Sequence, residues 1–172
     1  ARYAARPDST ILGILGSGGM ARSHAMAYAY THRLALIKVY SPTREHREAF
    51  AKEMSEILGV PVEAFSEPEP VVRGSDIVAA CTDAARHIIM RDWLEPGMHI
   101  STVTNYELGV DAYDRIDCYV KYRSGTSTHH FTAPDGQRPS SLKGSSEETE
   151  QQEAKISNTH HLAEVLLRQY LG

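Results

Sequence analysis

Short apolar runs and longer amphipathic stretches alternate along residues 10–103. The apolar runs cover residues 10–16, 34–40, 62–65, 77–81 and 99–103, and each has the length and composition of a buried strand. Apolar side chains recur at helical spacing over residues 20–30 and 43–58, and residues 67–73 predict a short helix or turn. Since each connection is long enough for parallel pairing, we predict an α/β fold with a doubly wound parallel sheet, to which residues 117–122 can add a sixth strand.

The two long helices predicted by this pattern differ in the face that they bury. Ala21, Ala25 and Ala29 repeat every four residues in the first helix, which gives a small-residue face that can lie close against a sheet. The second helix is expected to end at Gly59, a residue type common at helix C-termini. Its apolar positions are Phe50, Met54, Ile57 and Leu58.

The composition changes after Arg123. Residues 124–153 are dense in Ser, Thr, Gly, Pro and Glu, which predicts a long irregular surface segment. A helical pattern returns over residues 160–171. We therefore predict three parts: an α/β domain over residues 1–123, a loop-rich insert over 124–156 and a C-terminal helix over 157–172.

Composition and charge narrow the functional classes. The chain has 172 residues, of which 41% are apolar and 23% charged, values typical of one globular domain. A net charge of −4 argues against nucleic acid or an anionic membrane as the partner, and no apolar run is long enough for a transmembrane helix. Two cysteines cannot build a disulfide framework, and the nine histidines show no metal-ligand spacing. We expect a cytoplasmic protein without a bound metal.

A glycine-rich segment lies between the first predicted strand and the first predicted helix. It consists of Gly16, Ser17, Gly18, Gly19, Met20 and Ala21, in the form G-x-G-x-x-A. Gly16 permits a tight turn, Gly18 lets a pyrophosphate approach the backbone, and Ala21 lets the helix lie close to the strand. The helix N-terminus adds free N–H groups and a positive dipole end. Because this segment joins a strand to a helix, it predicts a Rossmann-type dinucleotide site rather than a glycine turn without a ligand.

The end of the second predicted strand bears on which dinucleotide is bound. An NAD site usually has Asp or Glu about 20 residues after the glycines, where it accepts a hydrogen bond from the ribose 2′-hydroxyl. Here Ser41, Thr43 and Arg44 occupy that region, and no acid occurs before Glu45. Hydroxyl donors and a guanidinium suit a 2′-phosphate, so we favour NADP over NAD. The alternatives are a solvated Arg44 and a Thr43 that only caps the next helix.

Three more candidates follow the fourth and fifth predicted strands. Open α/β sheets bind ligands outside the carboxyl ends of their strands, which makes Cys81, Thr82 and Thr104 candidate cofactor contacts. Thr82 is equally compatible with an ordinary strand-end turn. Cys81 has no base beside it in the sequence, so it is expected to be a small buried residue rather than a nucleophile.

Several further segments are distinctive in combination. They are Ala5-Arg6-Pro7-Asp8, Ser23-His24, Arg73-Gly74-Ser75-Asp76-Ile77-Val78, and the residues Trp93-Leu94-Glu95-Pro96-Gly97-Met98-His99-Ile100. Together with the glycine-rich segment they resemble the ornithine cyclodeaminase/mu-crystallin family over roughly residues 4–122. Residues 160–167 also resemble a segment near the C-terminal end of that family.

Members of that family are longer than this chain and include cyclodeaminases, alanine dehydrogenases, ketimine reductases and hormone-binding crystallins. The resemblance implies the NADP(H)-binding domain of an oxidoreductase that transfers hydride between nicotinamide and an amino or imino acid, with Thr82 near the nicotinamide ribose. The alternative that it implies is a non-catalytic, mu-crystallin-like protein that keeps the cofactor and binds a small ligand. The family's substrate-binding Arg and Lys residues come mainly from regions outside this chain, so no catalytic residue is assigned.

The family's cyclodeaminases carry an aspartate just after the fifth strand, close to the nicotinamide. Here Tyr106 takes that approximate place, between Asn105 and Glu107. This difference argues against ornithine cyclodeamination and leaves hydride transfer open. By the same resemblance we expect the full-length protein to be a homodimer, and this chain alone to be a monomer without turnover.

Overall fold

The computed structural model describes residues 1, 4–104, 107–121 and 159–161, with Lys121 and residues 159–161 described through their backbone only. The chain divides into two compact units, Ala1–Gly109 and Val110–Gly172. The first unit contains, in chain order, β1 (Ile11–Leu15), α1 (Gly19–Thr31), β2 (Leu36–Tyr40), α2 (Arg44–Leu58), β3 (Val62–Phe65), α3 (Glu69–Val72), β4 (Ile77–Ala80), a 3₁₀ turn (Arg91–Trp93) and β5 (His99–Thr102).

A five-stranded parallel sheet forms the centre of the first unit. Its strand order is β3-β2-β1-β4-β5. The chain therefore runs outward from β1 to β3 and then returns to place β4 on the other side of β1. The carboxyl ends of β1 and β4 meet at this reversal, which is where open α/β sheets bind ligands. The doubly wound α/β prediction is confirmed.

Helices α1 and α2 cover one face of the sheet. Ala21 and Ala25 of α1 are fully buried, as the four-residue repeat predicted, whereas Ala29 is only partly buried and Tyr28 is the buried residue of that turn. Phe50 and Met54 of α2 complete the core with strand side chains such as Ile14. Burying one such large apolar side chain contributes roughly 1.5–3 kcal/mol. This layer fixes where the N-terminus of α1 lies relative to the strand ends.

The opposite face of the sheet carries the short helix α3. A Cβ at Gly13 of β1 would overlap the carbonyl oxygen of Val71 in α3, so glycine is required for this close approach. Val71 and Val72 are fully buried there. The sheet is thus covered on both faces, which explains why its central strands β1 and β4 are buried almost throughout.

The structure differs from the sequence expectations at Ile57 and at residues 160–161. Ile57 of α2 was expected on the apolar face of the helix, but 57% of its surface is exposed. Its side chain points away from the sheet, whereas that of Met54 points toward it. Residues 160 and 161, expected to begin a helix, instead belong to strand β7 (Thr159–His161), which pairs in parallel with β6 (Tyr119–Lys121). Strand pairing overrides the helical pattern at these positions, and the rest of the expected helix lies outside the described residues.

The second unit contains, within the described residues, a 3₁₀ helix (Val110–Arg115) and the β6–β7 pair. The strand expected over residues 117–122 therefore forms, but in a sheet separate from the five-stranded one. The insert expected over residues 124–156 lies outside the described residues, and the three domain bounds stay predictions. No helix among the described residues is long and apolar enough to cross a membrane.

Candidate functional site

The turn after β1 requires glycine at position 16. Gly16 has φ of +113°, a conformation that side chains with a Cβ rarely adopt, and its N–H donates to the carbonyl oxygen of Tyr40 at 2.8 Å. A Cβ there would lie 2.5 Å from the carbonyl oxygen of Cys81. The end of β4 thus lies directly against the turn, and a side chain at position 16 would separate them.

The next two glycines face open space instead. A Cβ built on Gly18 or Gly19 meets no atom within 4 Å. Gly18 is the N-cap of α1, no side chain caps this helix end, and no acidic residue lies in the first turn. The first-turn N–H groups and the positive end of the helix dipole therefore face a space without side chains, an arrangement suited to a phosphate.

Arg22 fixes the glycine-rich segment to α2, a role that the sequence analysis did not anticipate. Its guanidinium donates to the carbonyl oxygen of Ser17 at 2.6 Å and to both carboxylate oxygens of Glu53 at 2.7–3.0 Å. It also lies 5.5 Å from the centre of the Phe50 ring. The hydrogen bond to Glu53 raises the pKa of Arg22. No local pattern links positions 22 and 53, so the sequence offered no signal for this contact.

The end of β2 carries no acidic residue, in agreement with the sequence. Ser41 is buried, and its carbonyl oxygen accepts a hydrogen bond from Arg47. Thr43 occupies the N-cap position of α2 without a capping hydrogen bond from its side chain. Arg44 is exposed and donates to Glu48 at 2.7 Å, one helical turn away. This bond uses only the Nε–H of the guanidinium, so its terminal N–H groups can still donate to an anion.

Glu107 is the residue that sequence reasoning missed. Its side chain is fully buried, and its carboxylate accepts four hydrogen bonds. Oε1 accepts from the N–H and the hydroxyl of Thr82 at 2.7 and 2.9 Å, while Oε2 accepts from the N–H groups of Val103 and Thr104 at 2.8 and 3.0 Å. A buried carboxylate without partners would be strongly unfavourable, so these four bonds explain its position. The one signal in the sequence that could have indicated Glu107 is that it is the single acidic residue in an otherwise uncharged stretch after the fifth predicted strand.

The strand-end candidates have different environments. Cys81 places its side chain in the hydrophobic core, where burial and then the charge of Glu107 raise the pKa of its thiol to about 12. Thr82 lies beside the glycine-rich segment, since its methyl carbon is 3.6 Å from the position of a Cβ on Gly16. Thr104 has a buried hydroxyl without a hydrogen-bond partner among the described residues.

The structure therefore brings the turn at Gly16 together with Thr82, and links Thr82 to Thr104 through Glu107. Only the backbone of Cys81 takes part in this arrangement, because its side chain belongs to the core. Tyr106, expected in the approximate place of the cyclodeaminase aspartate, and its neighbour Asn105 lie outside the described residues. Among the described residues, no group of three His, Cys, Asp or Glu side chains is arranged to hold a metal ion.

The sequence of this chain is similar to those of several known proteins. The chain is 33% identical over 97 residues to the ketimine reductase mu-crystallin of Rattus norvegicus, covering 56% of this chain and 30% of the rat protein. It is 29% identical over 105 residues to a delta(1)-pyrroline-2-carboxylate reductase of Bacillus cereus, covering 61% of this chain and 32% of that protein. The chain thus spans about a third of the length of these curated relatives.

The fold of this chain is also similar to that of a solved structure. The delta(1)-pyrroline-2-carboxylate reductase of Thermococcus litoralis, in complex with NADH and L-proline, superposes with a TM-score of 0.66 at 28% identity, over 69% of this chain and 38% of that one. The model of the ornithine cyclodeaminase/mu-crystallin family matches residues 1–129 of the 172. This chain belongs to the ornithine cyclodeaminase/mu-crystallin family.

Proposed function

We propose that this chain binds NADP(H) and serves as the nucleotide-binding domain of an oxidoreductase acting on amino or imino acids. The observation that carries the proposal is the contrast between two glycines. A Cβ at Gly16 meets the backbone of β4, whereas a Cβ at Gly18 would occupy only the open space at the N-terminus of α1. Gly18 is therefore not required by the fold, and room for a pyrophosphate explains its presence.

The described residues divide into groups that suit the parts of a dinucleotide. Gly18 and the N-terminus of α1 would hold the pyrophosphate, and Ser41, Thr43 and Arg44 would bind the adenosine ribose and its 2′-phosphate. Thr82 and Thr104, on the other side of the reversal point, would contact the nicotinamide ribose. When bound, the nicotinamide supplies or accepts the hydride, and the protein orients it.

The substrate class is inferred from the relatives. The rat protein is named a ketimine reductase, and the Bacillus cereus and Thermococcus litoralis proteins are named reductases of a cyclic imino acid. We propose reduction of a C=N bond, or its reverse, for the longer protein. Because this chain covers about a third of those relatives, we expect cofactor binding without turnover from the chain alone.

The choice of NADP over NAD rests on the end of β2. A carboxylate there would repel a 2′-phosphate, and neither Ser41 nor Thr43 supplies one. Arg44 is the cation among these three candidates, and its exposed pair with Glu48 is of the kind that contributes little to stability, so this pair presents little obstacle to a phosphate.

Isothermal calorimetry with NADPH and NADH tests both parts of the proposal. We expect tighter binding of NADPH by the wild-type chain, and loss of both ligands in Gly18→Val, whose branched side chain would fill the open space. Arg44→Ala should weaken NADPH by roughly tenfold and leave NADH unchanged.

Arg73→Ala is the matched control for the arginine. Arg73 pairs with Glu69 at 2.7 Å with the same helical spacing, yet it lies at the end of α3, away from the end of β2. Unchanged NADPH affinity in Gly18→Val would refute the site, and equal losses of NADPH and NADH in Arg44→Ala would refute the preference for NADP.

A further inference from the structure

The position of Glu107 assigns it a function beyond filling the core. We propose that Glu107 is a positioning residue for the nicotinamide half of the dinucleotide site, holding Thr82 and Thr104 in place. This proposal rests on the function proposed above. It concerns a residue that would not itself touch the cofactor, because its side chain is fully buried and its two oxygens already accept four hydrogen bonds.

The carboxylate joins two chain segments just where their strand pairing stops. The β4–β5 ladder ends at the pair Ala80 and Thr102. Beyond it, Oε1 binds the segment after β4 at Thr82, and Oε2 binds the segment after β5 at Val103 and Thr104. The connection between these strands contains one 3₁₀ turn and no long helix within the described residues. The carboxylate thus continues the cross-linking of the two strands into the region where a ligand binds.

This contact also determines how the hydroxyl of Thr82 can bind a ligand. A threonine hydroxyl has one hydrogen to donate and two lone pairs. Its hydrogen is directed to Oε1 of Glu107 at 2.9 Å, and one lone pair accepts from the N–H of Ala84 at 3.2 Å. One lone pair remains, so Thr82 can only accept a hydrogen bond, as from a ribose hydroxyl. The hydroxyl of Thr104 is buried and has no hydrogen-bond partner among the described residues.

Glutamine has the same shape as Glu107 but cannot replace it. Its amide oxygen can accept, whereas its NH₂ group can only donate. In either orientation, the NH₂ group would face N–H donors that now bind one of the two carboxylate oxygens. Glu107→Gln should therefore loosen one of the two strand ends without changing the volume of the core.

The adenosine half of the site provides an internal reference. The residues proposed to bind it are Gly18, Ser41, Thr43 and Arg44, which lie after β1 and β2. The carboxylate of Glu107 bonds instead to Thr82, Val103 and Thr104. Adenosine 2′,5′-bisphosphate is the adenosine half of NADP with one phosphate of the pyrophosphate, and it lacks the second phosphate, the nicotinamide ribose and the nicotinamide. Comparing its affinity with that of NADPH isolates what the nicotinamide half contributes.

The test is calorimetry of both ligands with the wild-type chain and with Glu107→Gln. In the wild type, NADPH should bind more tightly than adenosine 2′,5′-bisphosphate. In the variant, we expect the affinity for NADPH to fall about tenfold, toward that of the half molecule, while the affinity for the half molecule is unchanged. A residue that only stabilised the fold would lower both affinities together.

Asp76→Asn is the matched control. Asp76 also joins two segments, since it accepts from the N–H groups of Thr10 and Ile11 at 2.8 and 2.9 Å and from Arg6 at 2.7 Å. It lies at the amino end of the same sheet, away from the strand ends that bind ligands. The ratio of the two affinities should stay at its wild-type value in this variant.

A second measurement uses the wild-type chain and remains informative when Glu107→Gln fails to fold. In amide NMR spectra, NADPH should shift the resonances of Thr82, Val103 and Thr104, and adenosine 2′,5′-bisphosphate should leave them in place. Equal shifts with both ligands, or an unchanged affinity ratio in a folded Glu107→Gln, would overturn the role of Glu107. If adenosine 2′,5′-bisphosphate does not bind the wild-type chain, the proposed function itself fails, and this role fails with it.

Discussion

The same added methyl group should destabilise the fold at Gly16 and leave its stability almost unchanged at Gly18. In Gly16→Ala the new Cβ would lie 2.5 Å from the carbonyl oxygen of Cys81, well inside van der Waals contact, at a φ of +113°. Holding alanine in this sparsely populated backbone conformation costs about 1–3 kcal/mol. Forcing the end of β4 away costs about 1–3 kcal/mol more, as in overpacked cores. Together these terms predict a loss of about 2–6 kcal/mol in the free energy of unfolding.

Gly18→Ala should leave that free energy almost unchanged. Gly18 has φ of −81°, which alanine adopts without strain, and the added methyl group meets nothing within 4 Å. Reduced flexibility of the unfolded chain stabilises by about 0.4–1 kcal/mol, and the poorer N-cap propensity of alanine offsets a similar amount.

Urea unfolding followed by circular dichroism measures both variants, with equal m values as the check that the free energies are comparable. A loss in Gly16→Ala against an unchanged Gly18→Ala supports the distinction between a glycine required by the fold and one retained for a ligand. The distinction is refuted if the free energy of unfolding falls equally in both variants, or if it falls more in Gly18→Ala than in Gly16→Ala.

Two further outcomes follow from titratable groups. Burial alone would raise the pKa of Asp76, but the N–H groups of Thr10 and Ile11 together with Arg6 hold it below its usual value. Its stabilising contribution is therefore present at neutral pH and lost as the pH falls below about 4, so Asp76→Asn should be less stable at pH 7 and show a shallower acid dependence in urea unfolding. Cys81 is buried with a thiol pKa of about 12, whereas Cys118 is exposed. Iodoacetamide at pH 8 should alkylate Cys118 alone in the folded chain and both in urea, and mass spectrometry that finds early labelling of Cys81 would contradict this.

The elements that the sequence predicted well are those defined by local patterns. β3 has the expected bounds, and β1, β2, β4 and β5 differ from expectation only at their ends. Gly59 ends α2 in the left-handed conformation that a helix-terminating glycine favours. Apolar runs, turn residues and glycine positions carry this information because each depends on a few neighbouring residues.

The candidate site was predictable only in part. The glycine-rich segment and the absence of an acid after β2 are visible in the sequence, because a strand–turn–helix motif is contiguous. The burial of Cys81 was also anticipated, and the structure confirms it. The structure adds that its side chain lies in the core, leaving only its backbone at the turn. Its cofactor role and those of the other candidates stay predictions.

Tertiary structure alone decided the contacts between distant residues. Arg22 meets Glu53 across 31 positions, and Glu107 meets Thr82 across 25, and neither separation follows a helix or strand period. The strand at residues 159–161 overrides a helical pattern for the same reason, since its partner is strand β6 at residues 119–121. Local propensities amount to a few tenths of a kcal/mol per residue, whereas a buried carboxylate or an unpaired strand edge is strongly unfavourable until the fold supplies its partners. The sequence by itself therefore determined the elements and the glycine-rich segment, and the packing of the sheet determined which polar side chains meet at its carboxyl edge.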